Sequence, residues 1–327
     1  MFEHKKLMLL YTLTSAHVGS GDNLSYIDLP IQREKHTNFP KIEASSLKGS
    51  IREAMINSIK KDKLSEEDKI NRILGSWENG DTPSAVSISD ARILFFPVKS
   101  AKGIFAWVIC PTVVRRFLQD CKLIEIDCPS LEELVEQLDN LSLENKILTY
   151  NGFCSLVMNG KNGSNEKKVM LEEILFDSEP CDKFKAWIDE VTEKFLSNKP
   201  NELTLKNDEF KKKVTMISDE DFEYFVTQST EVVTRIKINH ETGIVEDGAL
   251  FTEEYLPPES ILYSLLFFSE EKNNEENNKE NNRMSAKCIE KEMFGMISDG
   301  LLQIGGNTTL GKGLFKIHLE DTSDECK

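Results

Sequence analysis

Two residues of one glycine-rich stretch have side chains suited to moving a proton or holding a metal. His17 and Asp28 flank GSGDNLSYI, and basic residues follow at Arg33, Lys35 and Lys41. An imidazole and a carboxylate on a loop beside positive charge suit proton transfer at an RNA 2′-hydroxyl, or the orientation of a metal ion. One aspartate cannot build a two-metal site. The nearest further acids are Asp22 and Glu34, and no H-x-E or D-x-D pairing joins them. Spacing alone favours the plainer reading, a turn aspartate bonded to its own backbone.

Three other groups carry chemistry. Lys48 and Arg52 stand four apart, on one face of an expected helix near its N-terminus. Like charges there repel slightly, and an anion at the helix terminus would relieve them. A solvated face beside Glu53 is an equal alternative. Gly306-Asn-Thr-Thr-Leu-Gly311-Lys312 matches seven positions of a nucleotide phosphate loop, but the eighth is Gly313, not Ser or Thr. The loop also follows a helix and opens a strand, the reverse of the nucleotide-binding context. No nucleotide cofactor is therefore expected. Either its backbone amides approach a phosphate, or it is a tight turn that needs positive φ. Glu253, Glu254 and Tyr255 lie after a hairpin and before Pro257-Pro258; spacing alone makes them a surface strand end.

The elements that must position these residues are legible in outline. KKLMLLYTLT is apolar at nearly every position to Leu13 and reads as a strand buried on both faces. A long loop or irregular hairpin follows. A helix is then expected, capped by Ser45 or Ser46, with Leu47, Ile51, Met55 and Ile59 as its stripe. Strands are expected at 85–98 and 103–110. A helix over about 130–144 is suggested by Ser130 with Glu133 as a capping box, and another over 183–196 by Phe184, Trp187, Ile188, Val191 and Phe195. VVTRIKIN, HETG and IVEDGALFTEEY read as a hairpin. YSLLFF is a buried strand, residues 269–283 form an exposed, disordered polar loop, and a helix over 286–298 stops at Gly300. LFKIHLE closes the chain as a strand. Without its insertions this order fits a ferredoxin-like βαββαβ core in an α+β fold.

Composition bounds the partners. The chain has 327 residues and a formal net charge of −16. That charge argues against nucleic acid as a whole-molecule property, but binding draws on a local patch. The acid concentrates at 219–223, 246–259 and 270–280, whereas residues 33–63 are predominantly basic. The seven cysteines are scattered with no C-x-x-C pair, which argues against a disulfide framework or structural zinc and for a reducing, cytoplasmic setting. No apolar run has the length of a membrane span.

LYTLTSAHVGSG, IDLPIQREKHTNFPKI and SSLKGSIRE together closely resemble the N-terminal signature of the backbone-subunit family of type III-B (Cmr) CRISPR effector complexes, within the RAMP superfamily. SISDARILFFPVKSAKGIFAWVICP, FTEEYLPPESILYS and IGGNTTLGKG extend the resemblance in the same order from Leu10 to Gly313. It implies a single RAMP domain over 1–327: a ferredoxin-like (RRM-type) palm, finger insertions at about 60–85 and 110–210, and a protruding thumb hairpin at about 215–262. It implies copies stacked in a helical filament on CRISPR RNA, with target RNA and other Cmr subunits as partners. Each copy would be a metal-dependent endoribonuclease, using magnesium or manganese, that cuts target RNA at regular intervals. The resemblance assigns catalysis to Asp28, which would also hold the metal, and to His17, Glu253 and Tyr255, with Glu254 a possible slip in register. It assigns RNA binding to Lys48 of SSLKG; Ser46, Gly49, Arg52, Gly305, Gly306 and Lys312 are expected on the same surface. The alternative is a structural RNA-coating subunit without cleavage. The Asn/Glu-rich insert and the acidic balance depart from the family pattern.

Overall fold

The computed structural model describes residues 2–22, 26–59, 64–76, 82–150, 154–159, 166–196, 207–272, 283–297 and 300–319. Parts of both expected finger insertions, and residues 273–282 of the expected polar loop, lie outside these. The first half of the chain forms β1 (His4–Thr12), β2 (Lys41–Ile42), α1 (Ala44–Ser58), α2 (Leu64–Leu74), β3 (Val86–Ile88), β4 (Ala91–Ser100), β5 (Ile104–Ile109), α3 (Pro111–Leu123), α4 (Pro129–Leu138) and β6 (Lys146–Thr149). The second half forms β7 (Met158–Asn159), β8 (Lys167–Leu171), β9 (Ile174–Pro180), α5 (Asp182–Phe195), α6 (Asn207–Lys213), β10 (Val214–Met216), α7 (Asp219–Gln228), β11 (Glu231–Ile238), β12 (Val245–Tyr255), β13 (Ile261–Phe268), α8 (Ala286–Met296), β14 (Leu301–Gln303) and β15 (Leu314–Leu319). Among the described residues no helix is long and apolar enough to cross a membrane.

β1 is buried at five consecutive positions, Lys6 to Leu10, so both of its faces are covered, as the apolar run from Leu7 predicts. It pairs antiparallel with β13 and β15, and β13 pairs antiparallel with β4. The order β15-β1-β13-β4, with α1 between β1 and β4 and α8 between β13 and β15, is the arrangement a ferredoxin-like βαββαβ chain produces. α1 turns Leu47, Ile51 and Met55 inward with no exposure. Burial of each such side chain stabilises the fold by roughly 1.5–3 kcal/mol. Beyond β4 the sheet continues through β5, β10, β6, β9, β8 and β7. There Phe184, Trp187, Ile188, Val191 and Phe195 of α5 are buried as the sequence predicts.

Several local expectations are corrected. Ser45 and Ser46 do not cap α1: the helix begins at Ala44, whose amide is taken by Asp90 Oδ1 at 2.9 Å. Ser130 and Glu133 form no capping box. α4 begins at Pro129 and ends at Leu138, and the Ser130 amide donates to Glu190 of α5 at 3.1 Å. The 85–98 run breaks at Ser89-Asp90 into β3 and β4. The start of the polar loop is ordered: Ser269 is buried, its amide bonds the Ala85 carbonyl at 2.9 Å, and Glu271 pairs with Arg72 at 2.6 Å. Helices α2, α3, α6 and α7 were not anticipated.

β11 and β12 form a separate two-stranded sheet. Ile236, Ile238 and Leu250 on it are 52%, 49% and 65% exposed, so neither strand gains a packed face along its length. A bare two-stranded hairpin is marginal in water. This one is fixed at its base, where residues 252–255 meet the loop after β1 and the glycine-rich loop.

Candidate active site

Four segments meet at the hairpin base: residues 14–19, residues 26–33, the end of β12 and the glycine-rich loop. Isolated bridges join Ala16 to Leu256, His17 to Gly306, Leu29 to Glu253 and Gly19 to Ile31. The expected irregular hairpin after β1 is thus stitched chiefly to distant parts of the chain.

Asp28 is exposed. Its Oδ2 accepts from the Thr252 amide at 2.7 Å and from Thr252 Oγ1 at 2.9 Å, and its own amide lies 3.0 Å from that hydroxyl oxygen. The bonds from the Thr252 amide and hydroxyl hold the Asp28 carboxyl below its ordinary range, so it is ionised at neutral pH. The turn-aspartate reading is right in part: the Asp28 backbone itself contributes, but the stronger bonds come from Thr252 of β12.

His17 Nδ1 lies 2.7 Å from the Glu254 carbonyl oxygen. A carbonyl only accepts, so Nδ1 carries the proton, and Nε2 is the acceptor of the neutral ring. The His17 ring stands edge-on to Tyr255 at 5.6 Å between centroids. Gly306 donates its amide to the His17 carbonyl at 2.9 Å. Gly305 has φ +89°, and a Cβ on it would overlap that carbonyl, so the close approach requires glycine.

Alternation along β12 separates the two glutamates. Glu253 and Tyr255 share one face. Glu253 Oε2 accepts from the Tyr255 hydroxyl at 2.6 Å, Arg235 Nε at 2.8 Å and Asn307 Nδ2 at 3.2 Å. Arg235 and Asn307 also donate to the Tyr255 oxygen, at 2.5 and 2.9 Å, and Lys312 Nζ lies 4.9 Å from the centre of its ring. Burial works to raise the Glu253 carboxyl, but the bonds from Tyr255, Asn307 and Arg235 outweigh it and leave it lowered. Burial, then Glu253, pushes the Tyr255 hydroxyl up, so it stays protonated. Glu254 faces the other way, 2% exposed, and binds the Ile31 amide at 3.0 Å, Thr230 Oγ1 at 2.8 Å and Arg33 at 2.5 Å. Its place is structural. Glu253 is the one bonded to Tyr255, against whose ring His17 stands.

Of the predicted RNA-binding residues, Lys48, Arg52, Ser46 and Gly49 fall elsewhere. Lys48 bonds Ser84 Oγ at 2.9 Å; Arg52 bonds Asn71 at 3.1 Å and the Gly75 carbonyl at 2.6 Å. Among the described residues neither cation meets a carboxylate. Burial lowers both, and the Arg52 charge lowers Lys48 further. A half-buried pair of cations that meets no carboxylate among the described residues suits an anion. Ser46 accepts from Gln32 at 3.3 Å, and Gly49 faces open space. In the glycine-rich loop the amides of Gly306, Leu310, Gly311, Lys312 and Gly313 already bond protein carbonyls. Gly305, Asn307, Gly311 and Gly313 have positive φ. The loop is a tight turn that presents Asn307 and Lys312 to Tyr255.

Thr252, Arg235 and Asn307 were missed from sequence. Arg235 alternates with Ile236 like any solvent-facing strand residue, and only the fold reveals its partners. Among the described residues no three His, Cys, Asp or Glu side chains group to hold a metal ion. Asp28 is thus at most one ligand, with both Thr252 bonds on Oδ2 leaving Oδ1 outside them.

Residues 9–316 match the RAMP superfamily. The chain is 34% identical over 325 residues to the CRISPR system Cmr endoribonuclease Cmr4 of Pyrococcus furiosus, covering 97% of this chain and 96% of that one. It is 26% identical over 326 residues to the CRISPR system CMR subunit Cmr4 of Saccharolobus solfataricus, covering 95% of each. The fold superposes on the crystal structure of oligomeric Cmr4 from Pyrococcus furiosus with a TM-score of 0.66 at 29% identity, over 97% of this chain and 99% of that one. A chain of a type III-B Cmr-beta complex bound to cognate target RNA has the same fold, with a TM-score of 0.66 at 19% identity over 97% and 98% of the chains. With the sheet order, the hairpin and the motifs all in place, the chain belongs to the RAMP superfamily, as a member of its Cmr4 family.

Proposed function

We infer that this chain is a guide-directed endoribonuclease and a filament-forming backbone subunit of a cytoplasmic type III-B CRISPR complex. It stacks with copies of itself and other Cmr subunits along CRISPR RNA and cuts complementary target RNA at regular intervals. The observation that carries this is the joining, at the hairpin base, of the loop that carries an ionised, exposed Asp28 to the end of β12 that carries Glu253 and Tyr255, with His17 edge-on to Tyr255. The Pyrococcus relative is a Cmr endoribonuclease and has an oligomeric crystal structure, which supports the same reading.

The reaction is attack of a target 2′-hydroxyl on its neighbouring phosphodiester, giving a 2′,3′-cyclic phosphate and a 5′-hydroxyl. A regular A-form helix holds that hydroxyl out of line with the leaving oxygen. The exposed hairpin distorts the duplex and sets the in-line geometry. A carboxyl held low is a weak proton acceptor, so Asp28 acts as a fixed negative charge, and His17, with Nδ1 committed to the Glu254 carbonyl, offers Nε2 to the hydroxyl proton. Arg235, held by Glu253 and the buried Tyr255 hydroxyl, presents its remaining guanidinium N–H groups toward the charge that develops on the phosphate. A divalent ion, magnesium or manganese, would be held on the protein side by Asp28 and would supply positive charge at the phosphate. Lys48 and Arg52 hold guide backbone.

Reconstitution with guide and matched target tests this. The complex should produce a ladder of evenly spaced cuts with 5′-hydroxyl ends, while the isolated chain leaves precursor repeat RNA intact. Target bound but uncut would favour a purely structural subunit and overturn the assignment.

A further inference from the structure

Tyr26 is, at 87%, the most exposed large apolar side chain among the described residues, so its ring has almost no protein contact. Its backbone nonetheless lies close to the carboxylate's anchor. The Tyr26 carbonyl oxygen is 3.3 Å from Thr252 Oγ1, the same hydroxyl that lies 2.9 Å from Asp28 Oδ2 and has one proton to give to either. One threonine therefore lies against both the aromatic residue and the carboxylate, two positions apart in the chain. In-line attack requires the nucleotide at the reacting phosphate to leave helical geometry, and its base then loses a stacking neighbour. Proteins that hold unstacked bases do so on aromatic rings, with little preference among the four because each has a π-face.

The geometry points to Tyr26 as a stacking platform for the target-strand nucleobase next to the phosphate that Asp28 addresses. This rests on the reading of Asp28 as the residue at the cut. The ring restrains the unstacked nucleotide, which favours the in-line geometry without touching the reacting atoms. Tyr26 is thus a positioning residue, and the hydroxyl is not needed.

The test uses the reconstituted complex with guide and a target carrying 2-aminopurine next to a cleaved bond. Wild type and Tyr26→Phe should quench the probe to the same degree and cleave within about twofold of each other. Tyr26→Ala should restore fluorescence and slow single-turnover cleavage roughly 5- to 100-fold, with target affinity nearly unchanged. Equal quenching in wild type and Tyr26→Ala overturns the proposal, as does unchanged cleavage by Tyr26→Ala. If wild type cleaves nothing, the reading of Asp28 fails, and the quenching comparison still decides the stacking on its own.

Discussion

The two neighbouring glutamates of β12 should separate stability from catalysis. Glu254→Gln replaces a carboxylate that is 2% exposed and accepts from three donors: the Ile31 amide, Thr230 and Arg33. It also strips the anion from Arg33, whose side chain is only 17% exposed. Removing one partner of a buried pair costs about 3–5 kcal/mol. Arg33 keeps its bonds to the Asn38 and Val226 carbonyls, which places the loss near the lower end, ~3 kcal/mol. Glu253→Gln differs. Its partner Arg235 is 27% exposed and keeps water and the Tyr255 oxygen, so the expected loss is ~1 kcal/mol. The fixed charge that aligns Arg235 disappears, however, and cleavage should fall at least roughly 100-fold. Urea unfolding followed by tryptophan fluorescence gives the stabilities, and single-turnover cleavage by the reconstituted complex gives the rates. The reasoning is refuted if Glu254→Gln is as stable as wild type, or if it cleaves more slowly than Glu253→Gln while fully folded.

Lys48→Ala should weaken guide RNA binding and lower the slope of log affinity against log salt by about 0.7–0.9, one phosphate contact; native-gel assembly and salt titration unchanged from wild type would contradict this. Gly305→Ala places a Cβ against the His17 carbonyl at φ +89°. It should lower the melting temperature and the cleavage rate more than Gly311→Ala, which has φ +71° but open space around it; equal effects would refute the close-approach argument. Burial raises Glu34, but bonds from Thr37 and Arg116 outweigh it and leave its pKa lowered from 4.5. A lowered folded pKa gives stability that is present above pH ~4.5 and is lost as pH falls through the folded value. Glu34→Gln should therefore flatten the fall of unfolding free energy below pH ~4.5, and an unchanged slope would count against that pair.

The core was legible because local pattern and tertiary burial agree there: the apolar run of β1, the stripe of α1 and the aromatic face of α5. The starts of α1, α3 and α4 were not, because the groups that take their first amides come from elsewhere. Asp90 takes the first amide of α1, Glu190 an amide of α4, and Asp219 the amide and hydroxyl of Thr112 in α3. The sequence nearby offered Ser45, Ser46 and Ser130, which local rules select. The site was legible in the same divided way. Asp28, His17, Glu253 and Tyr255 came from motif resemblance, whereas residue spacing left Asp28 as a turn residue. Thr252, Arg235 and Asn307 gain their meaning only when β12, β11 and the glycine-rich loop meet, and no local pattern encodes that meeting. The choice between Glu253 and Glu254 follows from strand alternation once β12 is placed against its neighbours.

The central claim is that Asp28, held ionised by Thr252, is the carboxylate at the cut. Asp28→Asn keeps the shape and removes the charge. In the reconstituted complex it should bind guide and target as wild type does and lose the evenly spaced cleavage products. An Asp28→Asn complex that still cuts the target at the same positions and rate would contradict the account.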